Sequence, residues 1–231
     1  MKRSQINSAL IWAMELIKKY GVSLPLYAYW TADEWRKNND LTDTIRKVML
    51  GWDITDYGLN DFEKIGGVLF TIRNGDPNDS SAGVPYAEKL IMLKDGQGLP
   101  THFHFNKTED IINRAGGVIA VKLYNSLNDY GIDYNSPVEV YCDGIKNTVK
   151  PGETVYITPG NSITLKPFMY HCFSAAKGEG DLICGEVSSV NDDRTDNFFY
   201  DKLPRFGAID EDAPPLMPLC NEYDKWISQI I

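Results

Sequence analysis

Apolar residues recur at helical spacing in the first part of the chain. The first run is Ile6, Ala9, Leu10, Ala13, Leu16, Ile17 and Tyr20. Gly21 follows it and is expected to end the helix. Thr31-Ala32-Asp33-Glu34 has the pattern of a capping box, which predicts the start of a second helix. Residues 40–50 are expected to form a third helix that ends at Gly51. We therefore predict a helical N-terminal part over about residues 1–60.

From Gly66 onwards the pattern changes to short apolar runs of β type. These runs are GGVLFTI, EKLIML, VIAVKLY, VEVYC, ETVYITP, SITL and DLICGEVSSV. Turn pairs such as Asp95-Gly96 and Pro159-Gly160 separate them. Many short strands at this spacing are typical of a sandwich or barrel, here over about residues 61–190. Residues 191–231 are irregular, Pro-rich and acidic, and we expect them to pack on the barrel. The sequence contains no internal repeat or low-complexity linker, so a single domain over residues 1–231 is predicted.

Charge and composition exclude several classes of function. Lys and Arg number 23 against 32 Asp and Glu, which gives a net charge of −9. Without a basic cluster, the chain is poorly suited to bind nucleic acid. No apolar stretch approaches the roughly 20 residues of a membrane span, and polar residues interrupt the N-terminal run, unlike a signal peptide. The four cysteines have no CxxC spacing. We expect a soluble cytoplasmic protein that binds neither nucleic acid nor membranes.

The stretch THFHFNKTE, residues 101–109, contains two of the three histidines of the chain. In a strand, His102 and His104 point to one face while Phe103 and Phe105 point to the other. Glu109 follows closely enough to fold back towards the same face. Imidazole nitrogens and a carboxylate are ligands for Mn, Fe, Co, Ni or Zn ions. The pair alone is also consistent with two solvated strand histidines, but the third histidine, His171, can be placed around the same point. The interpretation that we favour is a metal site.

The spacing of this stretch resembles the first motif of the cupin superfamily. Gly96, His102, His104, Glu109 and Gly116 stand at the full spacing of that motif. The second motif is only partly kept: Gly160, Pro167 and His171 match it. The glycine between the proline and the histidine is missing, and Ala175 stands where asparagine is common. The resemblance implies a cupin double-stranded β-helix, a mainly β jelly-roll barrel that here follows N-terminal helices. It also implies that two histidines and the glutamate of the first motif, with His171, hold the metal.

Longer blocks resemble the D-lyxose ketol-isomerase family of cupins. They are GWDITDYGLNDFEKIGGVLFTIRNG, YAEKLIML, THFHFNKTEDIINRAGG, GEVSSVNDDRTDNFF and LCNEY, in that order. This resemblance implies a Mn-type metalloenzyme that interconverts D-lyxose and D-xylulose, and often D-mannose and D-fructose. Co(II), Zn(II), Fe(II) and Ni(II) are alternatives to Mn(II). It also suggests a homodimer. A single metal site favours proton transfer through a cis-enediol over a two-metal hydride shift.

Several charged residues are candidates for proton transfer or for binding the monosaccharide. Lys89 lies in an apolar run and is either a buried group near the metal or a strand-edge lysine. Glu186, in LICGEVSSV, is either the proton-transfer carboxylate or a solvent-facing acid. Glu222 and Arg205 are a candidate base and a candidate hydroxyl-binding group, with structural salt bridges as the alternative. Asp196 is a substrate-binding candidate or a loop cap. Lys94 and Lys107 are expected to lie on the surface.

Two other functions fit the same ligand set. A cupin dioxygenase also uses three histidines and a glutamate, and it predicts an apolar pocket around an Fe or Cu ion. A non-catalytic sugar-binding cupin would keep the metal and the pocket but lack a competent base. The charged candidates Lys89, Glu186, Arg205 and Glu222 favour the isomerase over the dioxygenase.

Overall fold

The helical elements lie mainly at the N-terminus of this computed structural model, which describes residues 1–192 and 194–227. They are α1 (Arg3–Lys19), α2 (Ala32–Lys37) and α3 (Asp43–Lys47), with 3-10 turns at Leu26–Tyr29 and Asn39–Leu41 and a late helix α4 (Tyr223–Ile227). None of the helices in the described part of the chain combines the length and the apolar character needed to cross a bilayer.

Fourteen strands in the described residues form two antiparallel sheets. The strands are β1 (Gly51–Thr55), β2 (Gly67–Asp76), β3 (Asp79–Leu93), β4 (His102–His104), β5 (Glu109–Gly116), β6 (Ile119–Ser126), β7 (Ile132–Asp133), β8 (Val138–Cys142), β9 (Ile145–Val149), β10 (Thr154–Ile157), β11 (Ser162–Leu165), β12 (Met169–Ala175), β13 (Leu182–Ser189) and β14 (Asn197–Phe199). One sheet has the order β1-β2-β3-β13-β5-β11-β8-β9. The other has the order β10-β6-β12-β4-β14, and β7 pairs with β6.

The two sheets enclose the main apolar core. Leu69, Ile91 and Ile111 of the eight-stranded sheet belong to the same buried cluster as Val121 and Phe173 of the six-stranded sheet. Burial of such side chains from both inner faces is the main force that holds a sandwich or barrel together. The prediction of a mainly β, cupin-type jelly-roll barrel with N-terminal helices is confirmed.

Helix α1 covers the outer face of the eight-stranded sheet. Ile6, Leu10 and Ala13 lie on its buried face and belong to one cluster with Phe70 of β2 and Met92 of β3. The eight-stranded sheet is therefore buried on both faces in this region, with the barrel core on one side and α1 on the other. The apolar spacing that predicted this helix marks the face that packs on the sheet.

The second predicted helix is confirmed, and the third is much shorter than predicted. Thr31 Oγ1 accepts a hydrogen bond from the Glu34 amide, and the Glu34 carboxylate accepts one from the Thr31 amide, which completes the capping box of α2. Gly51 does not end a helix but starts strand β1 inside the part predicted to be helical. A Cβ at Gly51 would lie 2.2 Å from Tyr223 Oη, and the residue has φ +114°, so glycine serves close packing there.

The apolar runs predicted seven of the fourteen strands in the described residues, and the histidine stretch predicted β4, whereas β1, β5, β7, β9, β12 and β14 were missed. In β5, polar residues interrupt the pattern, and Asn113 is buried in the interior. Its side-chain NH2 group donates hydrogen bonds to the Gly117 and Ile157 carbonyls at 2.8 and 2.9 Å, so both of its donors are satisfied. The exposed residues of β9 form a hairpin with β8 through Asp143 and Gly144, whose positive φ angles suit a tight turn.

Candidate active site

The three histidines converge on one point inside the barrel. His102 and His104 come from β4 and His171 from β12, and His171 pairs directly with His102 in the antiparallel register. All three are buried, and each offers a ring nitrogen within 4.8 Å of those of the other two. The alternation of β4 sends Phe103 to the opposite face, where it packs on Phe198 with ring centroids 4.9 Å apart. The structure therefore places all three histidines as the sequence predicted.

Backbone carbonyls fix the orientation of two of the rings. His102 Nδ1 lies 2.8 Å from the Pro100 carbonyl oxygen, and His171 Nδ1 lies 3.0 Å from that of Met169. Because a carbonyl only accepts, each Nδ1 carries the proton and each Nε2 keeps a free lone pair. His171 Nε2 is buried and has no hydrogen-bond partner among the described residues. An orphaned nitrogen of this kind fits a metal ligand.

Glu109 adds a carboxylate to the histidine cluster. It is the first residue of β5, and its Oε1 lies 3.2 Å from His171 Nε2 and 3.4 Å from His104 Nε2. Its Oε2 lies 2.7 Å from Lys107 Nζ. Although burial by itself raises the pKa of Glu109, the positive charge of Lys107 holds that pKa well below its usual range. Glu109 is therefore an anionic oxygen donor at the common point.

Burial keeps His102 and His104 neutral. It lowers the pKa of His102 well below the ordinary value, and the neighbouring His171 and His104 lower it further. Burial also lowers the pKa of His104, and the charge of Lys107 lowers it further. A neutral imidazole is the form that binds a metal, so these residues can hold a divalent ion through nitrogen and oxygen donors. Thiolates are absent from the cluster, because none of the cysteines in the described residues belongs to it.

Four buried charged residues form a continuous network next to the histidines, which we call the cavity cluster: Lys89, Lys107, Glu109 and Glu186. Lys89 of β3 and Glu186 of β13 are directly opposite each other in the sheet, with Nζ and Oε1 3.6 Å apart. Lys107 Nζ donates to Glu186 Oε1 at 3.0 Å and also contacts Glu109. Two ammonium groups and two carboxylates thus lie within contact distance in the protein interior, where charges interact more strongly than in water.

Lys107 is the residue that the sequence analysis missed. It was expected on the surface, but it is only 3 % exposed and bridges two carboxylates. The position is set by Asp196, whose side chain accepts hydrogen bonds from the amides of Asn106 at 2.8 Å and Lys107 at 3.1 Å. The burial of Lys107 could have been predicted from its position between two predicted ligands, His104 and Glu109, where the chain must stay close to the interior. Lys94, by contrast, forms a partly exposed pair with Glu63, as expected for a surface residue.

A small cavity of about 40 Å³ lies beside the cluster, with room for about three water molecules. Polar residues on its wall include Lys89, Lys107 and Glu186. The apolar wall is formed by residues from both sheets and from the loops after β1 and β3: Tyr57, Leu69, Ile91, Leu99, Phe173 and Phe199. Charged groups on one side and an apolar surface on the other suit a small polar ligand bound next to a metal.

The remaining predicted site residues lie at different places. Arg205 lines the cavity and forms an ion pair with Asp53 of β1. Both carboxylate oxygens of Asp196 bind the loop amides described above, and one of them lies 3.8 Å from His104 Nδ1. Glu222 is not part of the cavity wall that the described residues form. Its two carboxylate oxygens instead accept hydrogen bonds from Arg3 in the N-terminal helix.

Comparison with known proteins identifies the family. A family model described as D-lyxose isomerase matches residues 1–223. The D-lyxose/D-mannose isomerase of Escherichia coli O157:H7 is 42 % identical over 229 residues, which cover 96 % of this chain and 98 % of that protein. The D-lyxose/D-mannose isomerase of Serratia proteamaculans is 39 % identical over 229 residues, which cover 99 % of this chain and all of that protein.

Solved structures support the fold. The L-ribose isomerase of Geodermatophilus obscurus superposes with a TM-score of 0.56 at 14 % identity, over 91 % of this chain and 98 % of that one. The L-ribose isomerase of Cellulomonas parahominis, solved with L-psicose, gives a TM-score of 0.54 at 15 % identity over the same shares. From the full-length family match and the two relatives of about 40 % identity, the chain belongs to the D-lyxose isomerase family and is a sugar isomerase.

Proposed function

We propose that this protein is a metal-dependent aldose–ketose isomerase that interconverts D-lyxose and D-xylulose, and also D-mannose and D-fructose, through a cis-enediol. The observation that carries the proposal is the convergence of three buried histidines and Glu109 beside the cavity cluster. The names of the relatives from E. coli and S. proteamaculans support the choice of sugars.

The metal ligands in this proposal are His102, His104, Glu109 and His171. The bare Nε2 of His171 and the ionised carboxylate of Glu109 fit a divalent cation, and a set of nitrogen and oxygen donors suits Mn(II), with Co(II), Zn(II), Fe(II) or Ni(II) as alternatives. When bound, such an ion supplies positive charge that stabilises negative charge developing on the oxygens of the sugar.

Glu186 is the proposed base. Its carboxylate lines the cavity and is held between Lys89 and Lys107, at 3.6 and 3.0 Å. In the forward reaction it takes the proton from C2 of the open-chain aldose, and the electron pair of that bond forms the C1–C2 double bond of the enediol. An ammonium group of Lys89 or Lys107 donates a proton to the carbonyl oxygen. Glu186 then returns its proton to C1, while the lysine, now a neutral amine, takes the proton of the C2 hydroxyl group, so that C2 becomes the carbonyl carbon and the ammonium group is restored.

Arg205 is the proposed contact for a hydroxyl group of the sugar, because its guanidinium lines the cavity and offers several donors. Asp196 acts indirectly in this proposal, since its oxygens already hold the loop that carries Lys107. The space of about 40 Å³ is smaller than a pentose, so we expect side chains of its wall to rearrange when the sugar binds.

The two alternative functions receive less support. A dioxygenase predicts an apolar pocket, whereas Lys89, Lys107 and Glu186 line this one. A non-catalytic sugar-binding protein predicts no base, whereas a buried carboxylate lies next to the histidines. The family match also favours an isomerase. We further propose that the whole chain is a single domain and that the protein is a cytoplasmic homodimer. Light scattering of the purified protein tests the dimer, which should have twice the chain mass of 26.0 kDa.

The decisive experiment follows the proton that is transferred from C2 to C1 of the sugar. Chelator-treated protein, reloaded with Mn(II), is incubated with D-lyxose in D₂O, and the sugars are followed by NMR. We expect D-xylulose that carries deuterium at C1, because a base shared with solvent exchanges its proton before returning it. Conversion without any deuterium in the product would argue for a hydride shift. No conversion of any pentose or hexose would overturn the proposed function.

A variant of one ligand tests the metal site separately. His104→Ala should lose both tightly bound Mn(II), measured by elemental analysis and electron paramagnetic resonance, and nearly all turnover. Asn147→Ala, on the exposed strand β9, serves as the control and should keep both. Full metal content and activity in His104→Ala would show that the ligand assignment is wrong.

A further inference from the structure

Strand β1 places a buried carboxylate behind the wall of the cavity. Asp53 is only 3 % exposed. Its neighbours along the strand, Trp52 and Ile54, belong to the cluster that packs against α1. Because side chains alternate along a strand, Asp53 points to the opposite face, the inner face of the barrel. Its partner in the register is Leu69, which lines the cavity.

The same strand binds Arg205 through two separate contacts. Asp53 Oδ2 accepts a hydrogen bond from Arg205 Nη2, and Thr55 Oγ1 donates to the Arg205 carbonyl oxygen at 2.9 Å. One contact fixes the guanidinium and the other fixes the backbone of the segment that carries it. Arg205 is thereby attached to the rigid eight-stranded sheet, although it belongs to a stretch without regular secondary structure. Such an attachment keeps a side chain in one rotamer at the wall of the site.

The buried ion pair between Asp53 and Arg205 is better suited to orient the guanidinium than to stabilise the fold. Burying an ion pair costs desolvation free energy, and the attraction between the two charges often does not exceed that cost. A gain in stability therefore does not by itself explain the pair. Asp53 Oδ1 is also buried without a hydrogen-bond partner among the described residues, which adds to that cost. What the pair does provide is a fixed plane for the guanidinium, whose fork of donors recognises oxygens only in a defined orientation.

We propose that Asp53 is a positioning residue that orients Arg205 for binding of the open-chain sugar. The proposal rests on the proposed function, because it takes Arg205 as the contact for a sugar hydroxyl. Asp53 acts through Arg205 and is not part of the proton-transfer machinery. Its loss should therefore weaken sugar binding and leave the chemical step nearly unchanged, since uniform binding affects KM and not kcat.

The test is a double-mutant cycle on KM and kcat with D-lyxose. Asp53→Asn keeps the shape of the side chain but removes the charge that holds the guanidinium, and we expect KM to rise about tenfold while kcat stays within about twofold. Arg205→Ala should raise KM at least as much. The double variant should match Arg205→Ala alone, because Asp53 has no effect without the group that it positions. Asp61→Asn, in an exposed pair with Lys64, is the matched control and should leave KM unchanged.

Additive effects of the two substitutions, or an unchanged KM in Asp53→Asn, would overturn the proposal. If Asp53→Asn does not fold, Arg205→Lys serves instead, since it keeps the charge but loses the planar fork. A wild-type KM in that variant would equally refute a positioning role. Calorimetric titration of the Mn-loaded proteins with D-lyxose gives a second readout. If the wild type binds the sugar but does not turn it over, the proposed reaction is wrong, whereas the loss of affinity in Asp53→Asn still tests this inference.

Discussion

Two buried clusters of charged residues lie on opposite sides of the eight-stranded sheet. The cavity cluster faces the barrel interior. The other, which we call the terminal cluster, consists of Arg3, Glu211 and Glu222 and joins α1 to the C-terminal segment. In both, carboxylates surround a cation that is almost fully buried: Lys107 in the first and Arg3 in the second. Residue type is therefore nearly the same in the two clusters, and so is the burial of Glu186 and Glu222, whereas Glu211 lies at the exposed edge of the terminal cluster.

The difference lies in what else the carboxylates can contact. Arg3 donates to both oxygens of Glu222 and to both oxygens of Glu211, so its planar fork occupies the acceptors. In the cavity cluster, Glu186 and Glu109 border an open space and the three histidines. Burial and charge alone do not identify a catalytic carboxylate. A cavity and a neighbouring ligand set do, which is why we assign the base to Glu186 and a structural role to Glu222.

The largest effect should come from the cavity cluster. Glu186→Gln keeps the shape of the side chain but removes the base, and we expect kcat for D-lyxose to fall about 10²–10⁴-fold. The variant is compared with wild type at a temperature where both are folded, because the neutral amide leaves the buried Lys89 and Lys107 less compensated and lowers stability. The control is Glu139→Gln, on an exposed surface pair with Lys146. A kcat within tenfold of wild type would exclude Glu186 as the base.

The terminal cluster should respond in the opposite way. Arg3→Met leaves Glu222 buried without its partner, and we expect the free energy of unfolding to fall by about 3 kcal/mol or more, measured by urea denaturation. The folded fraction should keep its kcat, because Arg3 lies on α1, outside the cavity. A large loss of kcat in Arg3→Met or Glu222→Gln at full folding would mean that the two clusters do not divide structure and catalysis as proposed.

The same comparison shows what the sequence can and cannot predict. Local spacing was sufficient for α1, for the capping box of α2 and for the two faces of β4, because each depends on neighbours a few positions apart. The assignment of the three histidines to one point also succeeded, helped by the scarcity of histidine in the chain. Strand β1 was missed because its five residues follow directly on a helical pattern and all of them are buried.

Long-range pairing explains the remaining differences. Lys107 was expected on the surface, because a lysine in a polar loop is usually solvated, but the carboxylates of Glu109 and Glu186 make its burial favourable. Glu186 is 79 positions away in the chain. Glu222 was a catalytic candidate, but its partner Arg3 is 219 positions away. No local pattern distinguishes these two outcomes, because both depend on which distant segments the fold brings together.

A third prediction returns to the cavity cluster. Lys107→Met removes the cation between Glu109 and Glu186, and we expect kcat to fall about tenfold, since repulsion between the two carboxylates then disturbs the base and a proton donor is lost. Bound Mn(II) should stay within twofold of wild type, because Lys107 is not a ligand. Lys94→Met, which breaks a partly exposed pair, is the matched control and should keep its activity. An unchanged kcat in Lys107→Met would show that this lysine has only a structural role, as a partner in ion pairs.

The smallest expected effect concerns the exposed edge of the terminal cluster. Hydrogen bonds from Arg3, more than the opposing effect of burial, lower the pKa of Glu211 from 4.5 to about 2. A carboxyl whose pKa is depressed on folding contributes stability above pH 4.5, and this contribution is lost as the pH falls from 4.5 to about 2. Because Glu211 is partly exposed to solvent, which screens the pair, we expect only about 1 kcal/mol. Urea denaturation of Glu211→Gln should therefore show about this deficit at pH 7 and almost none near pH 2, whereas a deficit independent of pH would trace the effect to packing.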